Sequence, residues 1–481
     1  MSVNLRASAS VGGTQNTYDN ILTFSSFGGL PSASGATNSS AITSFNTAYA
    51  ALTGRTQLII DPGTYNFSSG VNFGTSGGDR LTISAYGSTI VTPGGSSNGF
   101  ANSGPNNDNT HNAKFTTASA GASTVSLITS GQTSLFTVGK WVLVTGIDMQ
   151  GFGYPMNDAI FEFKKIQSIG TGTITFTEPL INSYKSTWPT FSPGDGVNID
   201  QGGPGNIYVL RDPWDQEVEL KGAFIADNSN LFYGKTRVAK YTDCTFETYG
   251  PCPTVNILFR ATRCIATGFG GLEVDKVVHR AEFIDSTIRA IDFQSASVNE
   301  VYASNLSQPS GRWRGGGKNN TLINISTTLF NFGPMNYGAQ GITAMTNVSA
   351  STGDWFSSNI FPFSDYTEEG SGVLSYAGGP NPASNTTGYW AVPGNNCVLL
   401  DASNGFARSF QVSDVSSSGG KTFVTTNLPF PVPSTINGKS SPWRIANHPC
   451  YDLTMVNCTG NSLFTSQSSL PAHSPFSGWT L

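Results

Sequence analysis

The chain has 481 residues, enough for roughly three domains of ~150 residues or for one elongated domain. Its 25 Lys and Arg against 30 Asp and Glu leave a net charge of −5, without the basic face a nucleic-acid binder needs to neutralise phosphates. Only 11% of residues are charged while 55 are Gly and 25 Pro, which excludes a helix-rich enzyme, and a 38% hydrophobic content excludes disorder; the balance fits an all-β chain with many turns.

Residues 1–37 are rich in Gly, Ser, Ala and Thr and read as an N-terminal arm, either a flexible tail or an attachment segment ordered in an assembly. Residues 38–110 read as a capping helix and the first coils of a stacked β-structure. Ile42, Phe45, Tyr49 and Leu52 recur at helical spacing between Asn38-Ser39-Ser40 and Gly54, which predicts a helix over 41–52. Leu58-Ile59-Ile60 then leads through Asp61-Pro62-Gly63 into the alternating Thr64-Tyr65-Asn66-Phe67, a strand, a turn and a strand. A lone amphipathic helix ahead of short strands suits the open apolar end of a stack, which needs a cover.

The region 201–350 carries the period. Asp243-Cys244-Thr245, Arg263-Cys264-Ile265, Asp285-Ser286-Thr287, Ser304-Asn305-Leu306, Ile323-Asn324-Ile325 and Thr346-Asn347-Val348 have central residues 20, 22, 19, 19 and 23 apart. A period near 20 is that of a β-solenoid coil, whose inner face is buried only by stacking on its neighbours. Asn305, Asn324 and Asn347 predict an internal amide ladder. Asn457-Cys458-Thr459 reads as a late copy, which places a C-terminal coil and tail in 441–481. Two interruptions, 111–200 and 351–440, read as copies of one antiparallel β-module. Trp141-Val142-Leu143-Val144, Phe163 to Ile166 and Gly172 to Leu180 in the first match Cys397 to Leu400, Phe410-Gln411-Val412 and Lys421 to Pro429 in the second.

Nothing approaches the ~18 apolar residues of a membrane span. Met1 to Asn20 has no apolar signal core, and six cysteines without a C-x-x-C spacing do not make a disulfide framework. An extracellular composition without an export signal fits a protein assembled in a cytoplasm and released by lysis, or one whose signal has been removed.

The helix, the segment Leu58-Ile59-Ile60-Asp61-Pro62-Gly63-Thr64-Tyr65 and the ~20-residue coils together resemble the pectate-lyase-like right-handed parallel β-helix superfamily, and within it the bacteriophage tailspikes and tail fibres. Phe136-Thr137-Val138-Gly139-Lys140-Trp141-Val142 is similar to inserts of such proteins. The resemblance implies an all-β fold and a homotrimer located in a virion tail, with the N-terminal arm joined to other tail proteins. It also implies binding of host surface polysaccharide, with lyase or hydrolase activity in many members. A secreted bacterial polysaccharide lyase or glycoside hydrolase, or a non-catalytic structural β-helix of a virion, is the alternative. No set of calcium-ligating Asp with a partner Arg is visible, so neither metal nor other cofactor is expected.

Solenoid geometry turns period into proximity. Glu273 lies 13 residues before Ser286 and Asp292 lies 13 before Asn305, so the two carboxylates are expected to stack in adjacent coils and to divide acid and base roles. Each lies between apolar neighbours, which predicts outward side chains. Arg312 and Arg314 are the candidate partners of an acidic sugar, and Trp313 the candidate ring platform. Trp214 and Asp215, in the acidic run 212–219, form a second candidate groove lip. The alternatives are a solvated salt-bridge stack and a solvated turn. Lys240, Arg260 and Glu282, each four before a central residue, predict a structural charge column; Cys244 and Cys264 predict stacked buried thiols more than a disulfide. His279, beside Asp275 and Glu282, reads as a surface residue more than a base, and His111, His448 and His473 lack metal-ligand spacing. Tyr154, Trp188, Trp355, Tyr389 and Trp390 are read as exposed aromatics for carbohydrate or trimer contacts.

Overall fold

The computed structural model describes residues 18–68, 71, 73–74, 80–92, 112–146, 161–184, 205–210, 214–226, 236–248, 250–268, 272–314, 316–317, 319–331, 341–352, 359–362, 367–370, 372–377, 396–401, 407–427, 443–447 and 450–459. The chain divides into two compact units. The first comprises Met1–Pro105, Leu210–Asp292 and Tyr302–Gly311; the second comprises Asn106–Val209, Phe293–Val301 and Arg312–Leu481.

The first unit is a parallel β-solenoid. Asn20–Thr23, Arg55–Ile59, Arg80–Val91, Glu217–Ala226, Val238–Thr242, Val255–Thr262 and Leu272–Ile284 pair in that order, each parallel to the next. Registration puts one inward position of every coil on top of the next. Leu58, Ile83, Leu220, Tyr241, Ala261 and Phe283 form one such column, and all six are buried. Because side chains alternate along a strand, the positions between them form columns on the opposite face.

One end is closed by α1, Gly35–Tyr49, which begins six residues before the predicted start because the Ser34 hydroxyl caps it by accepting from Thr37 N. Asn38, expected at the cap, is instead buried inside the helix, accepting from Leu30 N and donating to Asn66 O. Ile42, Phe45 and Tyr49 are buried as predicted, within an aromatic cluster with Phe24 and Phe73. The segment read as an arm is, from residue 20, part of the solenoid: Asn20–Thr23 is a strand paired with Arg55–Ile59. Residues 1–17 lie outside the described residues.

The corner that repeats has a backbone cause. Asp243, Arg263, Asp285 and Asn305 all have left-handed φ between 50° and 57°, and Asn324, Asn347 and Asn457 have φ of 54° or 55°. Asn and Asp tolerate this conformation where other side chains clash. The expected alignment therefore needs a one-residue correction in three coils: the residues equivalent to Asn305 are Asp243, Arg263 and Asp285, not Cys244, Cys264 and Ser286. The amide ladder exists but is external. Asn305 Nδ2 donates to Asp285 Oδ1 at 2.7 Å and Asn347 Nδ2 to Asn324 Oδ1 at 2.8 Å, all on exposed side chains. The next residue turns inward, so Cys244 and Cys264 are buried, and both are free thiols.

In the second unit Asn319–Asn331, Gly341–Thr352 and Cys450–Val456 pair in parallel. The late copy at Asn457 continues that coil, with Thr459 bridging to Ser349. Two antiparallel sheets complete the unit. The first runs Asn112–Lys114, Asn206–Val209, Trp141–Thr145, Phe161–Gly170, Thr173–Phe176, Thr124–Ser126. The second runs Asn359–Pro362, Trp443–Asn447, Asn396–Asp401, Ala407–Ser418, Lys421–Thr426, Val373–Ala377, with Thr367–Gly370 added at its edge. Numbered by chain position, and leaving out that edge strand, both have the order 1-6-3-4-5-2. Both also carry a register shift at the same place, between Ile166 and Ser168 and between Val412 and Asp414. The copies expected from sequence are thus copies in topology. Their last strands, Asn206–Val209 and Trp443–Asn447, lie beyond the expected limits at 200 and 440. Among the described residues no helix is long and apolar enough to cross a membrane.

Candidate functional site: the charged wall of the solenoid

The outward columns of the first unit carry a charge network on five adjacent coils. Arg80, Glu217, Lys240, Arg260, Arg280 and Glu282 are its main members. Lys240 Nζ binds Glu217 Oε1 at 2.6 Å, and Arg80 reaches the same oxygen at 3.3 Å. Arg260 Nε binds Glu282 Oε2, while Arg280 Nε donates to Oε1 at 2.5 Å, so two guanidinium groups hold one carboxylate. Lys221 pairs with Glu219 at 3.3 Å, and Arg237 with Asp215 at 2.9 Å. The period of the strands places these groups: Lys240 is registered on Arg260, and Arg260 on Glu282, as the sequence predicted. Arg80 was missed because the run from 91 to 217 breaks the count; Glu217 was read only as part of the acidic run 212–219, and Arg280 stands two residues before Glu282, off the column that was counted.

Burial alone would push the Glu217 carboxyl up, but the hydrogen bond and charge of Lys240, with Arg80 and Arg237, outweigh it and hold it below the usual carboxylate range. Glu282 behaves in the same way: burial pushes up, Arg260 and Arg280 pull down, and the net shift is downward. Both are thus ionised at neutral pH. Such carboxylates accept hydrogen bonds well but cannot serve as general acids.

The expected catalytic residues are placed as follows. Leu272, Val274, Ile291 and Phe293 are buried in the core. Glu273 and Asp292 lie between them, in the strands Leu272–Ile284 and Ala290–Arg314. The Glu273 side chain lies outside the described residues. Asp292 is 7% exposed, so it is not on the open surface where it was expected. Counted from the left-handed corners, Glu273 lies 12 before Asp285 and Asp292 lies 13 before Asn305, so the equal offset does not survive the corrected alignment.

The two tryptophans are corrections. Trp313 is 0% exposed, between Phe293 (5.6 Å between ring centroids) and Phe330 (6.1 Å), and offers no face to a sugar. Trp214 is 1% exposed and its indole N–H donates to Val255 O at 2.8 Å, so it is an interior residue, not a groove lip. Each ring is buried within its own unit, where an aromatic contributes a large apolar area. Asp215 is half-buried in its pair with Arg237, and Arg312 is exposed. The side chains of Arg314 and Asp275 lie outside the described residues, as do Tyr154, Trp188, Trp355, Tyr389 and Trp390 and the histidines 111, 448 and 473. Among the described residues no group of His, Cys, Asp and Glu is placed to hold a metal ion.

No family model and no curated protein sequence matches the chain. Among solved structures it is similar to the Gp54 tailspike of Acinetobacter baumannii bacteriophage AP22, determined in complex with A. baumannii capsular saccharide, at 13% identity and a TM-score of 0.40. That likeness covers 69% of this chain and 58% of the other, so the chain spans little more than half of that tailspike. It is also similar to the tailspike gp61 of Pseudomonas phage phi297, at 8% identity and a TM-score of 0.30, over 90% of this chain and 99% of that one. The tailspike gp49 of Pseudomonas phage LKA1 gives 10% identity and a TM-score of 0.26, over 89% and 100%. The assignment of a parallel β-solenoid with two antiparallel modules rests on the chain's own strand pairing.

Proposed function

We propose that the chain is a β-helical spike of the virion-tail type that binds host surface polysaccharide along its solenoid wall. The observation that carries this reading is the charge network, which puts at least one charged side chain on each of five adjacent coils. Coils stack about 4.8 Å apart, close to the length of one pyranose residue, so a linear glycan lying along the wall meets a charged side chain at each step. Half-buried Glu217 accepts from sugar hydroxyls and Lys240, Arg260 and Arg280 donate to them, while Glu282, 3% exposed, holds the Arg260 and Arg280 guanidinium groups in place. Trimerisation, which would cover lateral strand faces, and attachment to other tail proteins through the N-terminal residues belong to the same reading.

The test is retention of the protein on immobilised capsular or O-antigen polysaccharides from a panel of Gram-negative strains, with sedimentation measured in parallel. Binding to one or a few of them by a trimer is expected, weakened at least tenfold by Arg280→Ala with Arg260→Ala. Failure to bind any, in a protein that stays monomeric at high concentration, overturns the proposal.

Cleavage of the bound glycan is the second reading, motivated by the two acids Glu273 and Asp292, each between apolar neighbours in its strand. On the glycan that binds, Glu273→Gln and Asp292→Asn should each lower the release of reducing ends, or of unsaturated sugar, by orders of magnitude, since an amide neither gives nor accepts the proton. Undiminished release in both variants removes that pair from the chemistry.

A further inference from the structure

The charge network leaves unexplained one corner of the first unit, built from Tyr86, Gly222, Asp243 and Arg263. These residues stand on four successive coils at the left-handed turn, where Gly87, Gly222, Asp243 and Arg263 have φ of 76°, 71°, 57° and 50°. Gly222 has no side chain, and the Tyr86 ring lies over it. A Cβ on Gly222 would fall 2.2 Å from Tyr86 Cδ1 and 2.5 Å from Cγ. The tyrosine crosses that coil and donates from its hydroxyl to Asp243 Oδ2 at 2.9 Å. One ring face is therefore supported by backbone and its tip is fixed, yet the residue is 51% exposed. This is a rigid aromatic platform, not a core residue.

Arg263 completes the corner at a conformational cost. Among the described residues, six of the seven non-glycine residues with left-handed φ are Asp or Asn, and Arg263 is the exception. A long unbranched side chain gains nothing there from the local hydrogen bonds that favour Asp and Asn. It makes a two-pronged pair with Asp243 instead, Nε to Oδ1 at 2.6 Å and Nη2 to Oδ2 at 3.1 Å, with over half of its side chain exposed. Backbone strain kept beside an exposed aromatic is the pattern of a binding site.

The chemistry of the corner fixes its ligand class. The hydrogen bond from Arg263, outweighing a small effect of burial, keeps Asp243 below the usual carboxylate range, so its charge cancels that of Arg263. Burial, and then the bond to Asp243, push Tyr86 up to about 12, so at neutral pH its hydroxyl is a donor and not a base. A locally neutral pair rich in donors and acceptors, beside an exposed ring face, matches an uncharged sugar: apolar C–H bonds on one face, hydroxyls at the rim. We propose that this corner is a subsite for a neutral pyranose, which stacks its C–H face on Tyr86 and exchanges hydroxyl hydrogen bonds with Asp243 and Arg263. The ligand class rests on the glycan-binding function proposed above; the location does not use the charge network.

Saturation-transfer NMR on the full chain tests it, with the methyl pyranosides of glucose, galactose, mannose, rhamnose and N-acetylglucosamine as probes. At least one should receive saturation on the C–H protons of a single ring face. Tyr86→Ala should reduce that transfer at least fivefold, and Tyr86→Phe should keep more of it. Arg263→Asn should fold with an unchanged or higher Tm, since Asn suits the left-handed turn, and still weaken transfer. No transfer to any of the five probes, or equal transfer in Tyr86→Ala with its Tm within a few degrees of the parent, overturns the subsite. Polysaccharide retention that survives Tyr86→Ala while transfer is absent separates failure of this corner from failure of the general function.

Discussion

Glu162 is the strongest single test of how the first antiparallel module is held together. Its carboxylate is 4% exposed and accepts from Ile181 N at 2.9 Å, Asn182 N at 3.2 Å, Tyr184 Oη at 2.9 Å and Lys164 Nζ at 2.9 Å. Lys164, 3% exposed, also donates to Pro179 O at 2.6 Å. One buried pair thus pins the segment after Thr173–Phe176 against the sheet. Glu162→Leu strands two backbone N–H groups and a tyrosine hydroxyl, at about 1 kcal/mol or more each, and leaves a buried ammonium without its counter-charge. Breaking a buried pair from one side costs about 3–5 kcal/mol, and that is the expected loss. Lys164→Met should cost less, about 1–2 kcal/mol, because Glu162 keeps its other donors while Lys164 has few other partners. Urea unfolding, read by hydrogen exchange at residues 161–184 so that the module is followed by itself, measures both changes. The double variant should cost less than the sum of the two, a coupling of the kind expected for contacting residues. A Glu162→Leu loss below about 0.5 kcal/mol, the range of an ordinary surface substitution, would refute the reasoning.

Two further predictions follow from the solenoid. Asn324→Ala should destabilise the second unit by about 1–2 kcal/mol, the cost of a left-handed backbone for a residue with a Cβ and no local polar group, whereas Asn324→Gly should be close to neutral; thermal unfolding of the three proteins decides. Glu217 and Glu282 have folded-state pKa values below their unfolded ones, so their stabilising contribution is present above about pH 4.5 and is lost as pH falls through the lowered values. Tm measured from pH 6 to 3 should drop less steeply in Glu282→Gln than in the parent, and parallel curves would refute it.

How much was legible in the sequence depended on whether the chain's period was intact. Between 243 and 347 the count near 20 found the coils, and with them the column Lys240, Arg260, Glu282, since in-register stacking makes equal offsets neighbours. The module copies were legible for a related reason: alternating strands around a glycine turn give a pattern that repeats even when few residues are shared. The one-residue slip had a definite source. Cys244, Cys264 and Ser286 are small inward residues that resemble a corner, while the corner itself holds Asp, Arg and Asp. Only the backbone angle shows that Arg263 does the work of Asn305.

Side chains whose direction depends on phase were not legible. Trp313 sits between two arginines and Trp214 between Pro213 and Asp215 in an acidic run, and both contexts resemble an exposed saccharide platform. A solenoid interior is nevertheless wide enough to take indoles, and each tryptophan occupies the inward half of its alternation: Phe293 and Phe330 flank Trp313, and the Val255 carbonyl receives the Trp214 N–H. Once Gly222 is placed at a corner, the outward aromatic becomes predictable. A missing side chain on one coil opens a slot that a long residue from the preceding coil can cross, and Tyr86 crosses it to reach Asp243. The same logic gives the reverse substitution. Gly222→Asn keeps the left-handed turn but fills the slot, so it should displace the Tyr86 ring, free the Asp243 oxygen it occupies, and remove any saccharide bound there while leaving the coil's backbone hydrogen bonds in place.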